Sequence, residues 1–166
     1  HAYTARAINR ALEAGLTSIE HGNLLDQSSV DLFVAKDRFL VPTLATYRAL
    51  ADEGLEAGMP APLHRKVYDV LDAGMDALGL AHRGGVNIAF GTDLLGIMHR
   101  RQLTEFALRA EVQAPIDILR SATVVAARLF RMQDQIGQVA EGFRADLIMV
   151  DGDVLHDVAA WATPET

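Results

Sequence analysis

Apolar residues in the first part of the chain follow two rhythms, one helical and one of short strands. Ala7, Ile8, Ala11 and Leu12 recur at three- and four-residue spacing behind Thr4, whose hydroxyl can cap a first turn, and Gly15 closes the helix. Leu16 to Glu20 then reads as a short strand, His21-Gly22-Asn23 as a polar turn, and Gln27 to Asp37 as a second helix. Phe39 to Thr43 is an apolar strand stopped by Pro42, which has no N–H to give to a ladder. Gly54, Gly58, Pro60 and Pro62 predict a long, lid-like loop over residues 51–62. Val67, Val70, Leu71, Met75, Leu78 and Leu80 then predict a helix from Leu63 to His82, ended by Gly84-Gly85. Asn87 to Phe90 is the next strand, and it runs into Gly91-Thr92-Asp93. Strands alternating with helices at this density predict three or four βα units around a parallel sheet before residue 112. Behind Pro115, residues Ile116, Leu119, Ala122 and Thr123 hold one helical face to about Phe130. The character changes at Ile136. Gly137, Gly142 and the run Ala145 to Asp151 predict a turn and a β-strand that no βα unit follows, and so a separate small sheet.

Composition narrows the classes of function. Half of the 166 residues are hydrophobic, enough for the core of one ordinary domain. Fifteen basic against 22 acidic side chains give a net charge of −7, and without a basic cluster nucleic acid is not an expected partner. No apolar run approaches the roughly 18 to 20 residues of a membrane span and no leader-like segment opens the chain, so a membrane is not expected either and a cytoplasmic setting is the default. Cysteine is absent, which leaves any metal to His, Asp or Glu, and six histidines are available. The chain opens on His1 inside what reads as a motif, so a piece of a longer polypeptide is expected.

His1, His21 and Asp93 stand at the carboxyl ends of predicted strands, or where one would end. In a parallel barrel that is the face on which sites are built, because each strand end launches a loop over a shared mouth. Imidazole nitrogen and carboxylate oxygen suit Zn²⁺ and similar ions. A lone His there serves equally well as a hydrogen-bonded core residue, and an Asp after Gly-Thr as a helix cap. Three junctions together favour the metal site.

His1-Ala2-Tyr3-Thr4, Ser18-Ile19-Glu20-His21-Gly22, Val41-Pro42-Thr43 and Phe90-Gly91-Thr92-Asp93 resemble strands five to eight of amidohydrolase barrels. Ser121-Ala122-Thr123, Ala126-Ala127, Ile136-Gly137, Glu141-Gly142 and Ala145 to Asp151 are similar to that superfamily's closing helix and its return into a β-sandwich. Within the superfamily the chain looks closest to the imidazolonepropionase-like branch, which includes dipeptidases that cleave before proline. The resemblance implies an α/β fold: the C-terminal half of a (β/α)8 TIM barrel, about strands 5–8, over residues 1–135, and a segment of a small β-sandwich over 136–166. It makes His1 and His21 the metal ligands of strands five and six. Asp93 becomes both a ligand and the catalytic acceptor of the water proton. The implied cofactor is a divalent metal, zinc foremost, as one or two ions.

The implied reaction is hydrolysis of an amide or peptide bond in a small, dipeptide-like substrate. Cyclic-amide hydrolysis or deamination of a ring is the enzymatic alternative, and a non-catalytic half-barrel scaffold is the other. Tyr3, His99 and Arg100 are candidate substrate-binding residues, whereas His64, His82 and His156 read as structural or surface residues. The superfamily's strand-one histidine pair and strand-four lysine would precede His1. The chain alone is therefore expected to be inactive, with the missing N-terminal half as its partner, and its open sheet edges predict a homo-oligomer.

Overall fold

The computed structural model describes residues 1–156. Four parallel strands lie side by side in chain order: β1 (Ala2–Thr4), β2 (Ser18–Leu24), β3 (Phe39–Val41) and β4 (Asn87–Ile88). Ala2 sits beside His21, Glu20 beside Val41, and Leu40 beside Ile88, so the carboxyl ends of the strands open on one side. Helix α1 (Ala5–Glu13) returns the chain from β1, α2 (Gln27–Ala35) from β2, and α3 (Leu44–Glu53) with α4 (Ala61–Arg83) from β3. After β4 come a 3₁₀ turn (Gly96–Arg101) and helices α5 (Thr104–Ala110), α6 (Pro115–Ala122) and α7 (Val124–Leu129).

Local chemistry sets the helix ends. Thr4 Oγ1 accepts from the Ala7 N–H and Asp26 Oδ1 from the Ser29 N–H, each relieving a first-turn donor that has no helical partner. The apolar stripe of α1 places Ile8 and Leu12 fully inside. There they meet Ile19 of β2, Val30 and Phe33 of α2, Leu40 of β3 and Leu78 of α4 in one continuous core between sheet and helices.

Several expected boundaries shift. Residues 51–53, expected to open the loop, instead end α3, and residues 61–62 begin α4, so the connection shrinks to residues 54–60. Helix α3 is buried on two sides. Ala45 and Ala49 pack with Leu94 and Met98, while Tyr47 and Ala51 pack with Val67 and Leu71 of α4. Strand β2 runs on through His21-Gly22-Asn23, the expected turn, because Gly22 takes φ +67° and a Cβ there would stand 2.6 Å from Leu40 Cδ1. The helix expected from Pro115 to Phe130 breaks at Thr123 (φ −121°, ψ −91°), whose hydroxyl donates back to the Leu119 carbonyl at 2.7 Å.

The strand expected over Ala145 to Asp151 does not form. A strand needs a neighbour for its N–H and C=O groups, and none among the described residues pairs with this run, which leaves Ile148 84% and Met149 97% exposed. Residues 157–166, which the expected segment 136–166 includes, lie outside the described residues. No helix among the described residues is long and apolar enough to cross a membrane.

Candidate metal and substrate site

The middle of β2 brings His21 inward, to 4% exposure, and there the imidazole is held from both ring nitrogens. Its Nδ1 lies 2.9 Å from Thr43 Oγ1, at the end of β3, and its Nε2 lies 2.7 Å from His1 Nδ1, beside β1. Tyr3 stacks on the same ring, with centroids 4.8 Å apart and planes 13° from parallel, and Tyr47 meets it edge-on at 5.9 Å. Two residues 20 positions apart in sequence thus become one pair of ring nitrogens.

Backbone strain marks the same places. His21 (φ 77°), Thr43 (φ 50°) and Asp93 (φ 50°) all adopt the left-handed conformation that non-glycine residues disfavour. Such strain persists only where surrounding contacts enforce it, and it gathers at functional sites. Those contacts are visible. Thr46 Oγ1 donates to the Asp93 carbonyl at 2.8 Å, which ties α3 to the chain beyond β4.

Burial pushes the His21 pKa below its ordinary 6.5, and the negative charge of Asp93 partly offsets that. The neutral imidazole that results is the form that binds a metal. Two nitrogens ligating one tetrahedral zinc lie about 3.3 Å apart, so a small opening of the His1–His21 pair would seat an ion. The Thr43 hydrogen bond supplies the outer contact that fixes a ligating ring. The donor set therefore fits a divalent ion, although no group of three or more His, Asp or Glu among the described residues converges on one point. Of the three expected ligands, the structure joins His1 to His21 and leaves Asp93 within electrostatic reach.

The expected substrate residues fare unevenly. Tyr3 stacks on His21 and is 41% exposed as a residue. His99 is exposed on the 3₁₀ turn, and Arg100 beside it is engaged by Glu53 at 2.7 Å. His64, His82 and His156 bond to the Ala51 carbonyl, Asp117 and Asp153, which fits their structural reading. A cavity of about 550 Å³ lined by Thr17, Arg38, Phe39 and Arg128 lies at the opposite end of the strands, away from this chemistry.

Three supporting residues escaped the sequence reading. Thr43 fixes His21; the other two are Glu105 and Arg109, a fully buried ion pair at 2.8 Å. Glu105 Oε2 accepts from the Ala45 N–H at 2.7 Å, and Arg109 donates to the Ala89 carbonyl at 2.9 Å and to Ser121 Oγ at 3.1 Å. The pair clamps the first turn of α3 to the end of β4.

Solved structures share this fold. A prolidase crystallised with N-methylphosphonate-L-proline superposes with a TM-score of 0.94 at 47% identity, over 98% of this chain and 40% of that one. A Xaa-Pro dipeptidase with methionine bound in its active site gives 0.89 at 32% identity, again over 98% and 40%. Ochratoxinase of Aspergillus niger is 27% identical over 99% of this chain and 34% of its own length. A 5-methylthioadenosine/S-adenosylhomocysteine deaminase of Symbiobacterium thermophilum is 32% identical over 52% of this chain and 22% of its own. The chain thus spans 34% of the ochratoxinase and 40% of the solved prolidase. Its α/β fold with a parallel sheet matches the TIM-barrel type of these proteins. Residues 1–165 match the amidohydrolase family model, and the chain belongs to the amidohydrolase family.

Proposed function

We propose that this chain supplies the C-terminal half of a (β/α)8 barrel in a metal-dependent hydrolase of amide bonds, with dipeptide-like substrates. The remaining strands come from an N-terminal half that covers the open edges of β1 and β4. The supporting observation is the His1–His21 contact, with His21 fixed from behind by Thr43. His1 and His21 would hold the ion, with Asp93 beside them. Bound there, a divalent ion such as zinc supplies Lewis acidity, which lowers the pKa of water and polarises a carbonyl.

The chain's own residues then have distinct tasks. Asp93 accepts a proton from the attacking water and returns it to the leaving nitrogen, so that an amide and water become a carboxylic acid and an amine. Tyr3, stacked on His21, walls the site and presents its hydroxyl to the substrate. Thr43 holds the His21 ring in one orientation. The prolidase and Xaa-Pro dipeptidase neighbours support dipeptides as the substrate class. The deaminase relative supports ring deamination as a second reading, over only 52% of the chain.

Expression of this chain together with the strands that complete its barrel tests the proposal, through metal content and turnover of Xaa-Pro dipeptides. His21→Ala should remove the metal and lower turnover about a thousandfold, the scale of several kcal/mol of lost transition-state stabilisation. A variant with full turnover and full metal content would sink the reading.

A further inference from the structure

Tyr47 sits on the first turns of α3, one helical turn beyond Thr43, and is 7% exposed. Its ring meets His21 edge-on at 5.9 Å and Tyr3 edge-on at 6.4 Å, and it belongs to an apolar cluster with Ala51, Val67 and Leu71. The hydroxyl is buried and, among the described residues, makes no hydrogen bond of ordinary geometry, although Tyr3 stands beside it. Tyr68, half exposed on α4, makes one to the Ala51 carbonyl at 3.1 Å. Buried hydroxyls in folded proteins are nearly always paired, and a ring kept only for packing would serve as well as phenylalanine. An orphan hydroxyl against a candidate metal ligand needs a partner that arrives from outside.

We propose, on the hydrolase reading above, that the Tyr47 hydroxyl donates a hydrogen bond to the amide carbonyl oxygen of the substrate as that oxygen becomes anionic. The side chain is placed for this. An ordinary phenol keeps its proton at neutral pH and so donates, and the Tyr47 ring lies against both His21 and Tyr3. Its edge-on contacts with the His21 and Tyr3 rings set Tyr47 in the wall of the candidate site. Its helix is rigidly held. Glu105 takes the Ala45 N–H and Thr46 holds the Asp93 carbonyl, so the donor is fixed before substrate arrives.

Asp93 also selects the acceptor. A permanent carboxylate bound this close would be repelled by it. The carbonyl oxygen gains charge only as Asp93 is neutralised: the water oxygen bonds to the carbonyl carbon, the C=O π pair moves onto oxygen, and the water's proton passes to Asp93. When the pair returns, the C–N bond breaks and the nitrogen takes that proton.

The test is Tyr47→Phe in the zinc-loaded protein with its barrel complete, assayed on alanyl-proline. Expected are a fall in kcat of about a hundredfold with KM within about threefold, and unchanged zinc content. Inhibition by N-methylphosphonate-L-proline, whose tetrahedral phosphonate mimics the charged oxygen, should weaken at least about tenfold, while inhibition by free L-proline stays constant. The metal-free variant should melt higher than wild type, because it has lost an unpaired buried hydroxyl. Unchanged kcat and phosphonate inhibition beside an inactive His21→Ala would overturn the assignment and leave the hydrolase reading standing. A raised KM at constant kcat, or a lowered melting temperature, would also overturn it. Wild-type protein without dipeptide turnover would overturn both.

Discussion

Strand β3 and the run Ala145 to Val150 are both short and apolar, yet every residue of the first is buried and every residue of the second is exposed. The difference lies in their neighbours. Strand β3 has β2 on one side and β4 on the other, so its three residues lose no hydrogen bonds on leaving water. The later run has no neighbour among the described residues. An apolar strand pattern is thus a demand that only another strand can meet, whereas a helix such as α1 satisfies its own backbone and needs only one covered face.

The sharpest way to separate the two regions is to damage the buried one. Glu105→Ala leaves Arg109 charged and unpaired at zero exposure, and should cost about 3–5 kcal/mol in denaturant unfolding. A loss under about 1 kcal/mol would mean that water already reaches the clamp. A smaller effect comes from pH. Because burial holds the His21 pKa below 6.5, the unfolded chain binds the proton first. Stability is therefore complete above that value and is lost as pH falls through and below it, and His21→Gln should flatten the melting-temperature profile there. The smallest effect belongs to the exposed run. Met149→Ser should change stability by no more than about 0.5 kcal/mol in the 166-residue chain, and a loss comparable to that of Glu105→Ala would erase the contrast.

The same contrast explains what the sequence revealed. His21 and Asp93 stood out because each follows an apolar run and has a glycine within two residues, whereas His1, at the start of the sequence, stood out through the resemblance. Helix α1 was legible from its single stripe. Helix α3 was not, because packing on two sides places Leu44, Ala45, Tyr47, Ala49 and Ala51 without any 3.6-residue period, and two glycines and two prolines behind it point to a loop. Glu105 and Arg109 look like an ordinary i, i+4 surface pair, and nothing local to them says that they are buried. Tyr47 shares a helix face with Thr43, a relation that exists only once α3 is known. Strand β2 outran its predicted end because a glycine next to a histidine usually signals a stop, and here it relieves a collision with Leu40.

Helix α3 begins at the residue that steadies the imidazole, and two positions later its backbone is gripped by a carboxylate from α5. The next residue grips the chain at Asp93. Its opening turn therefore acts as a caliper between β3 and β4. Adding or deleting one residue there would swing everything downstream by about 100° around the helix axis. Residues 54–60 make none of these three contacts. The span from Thr43 to Thr46 makes all three and is thereby locked to a fixed length.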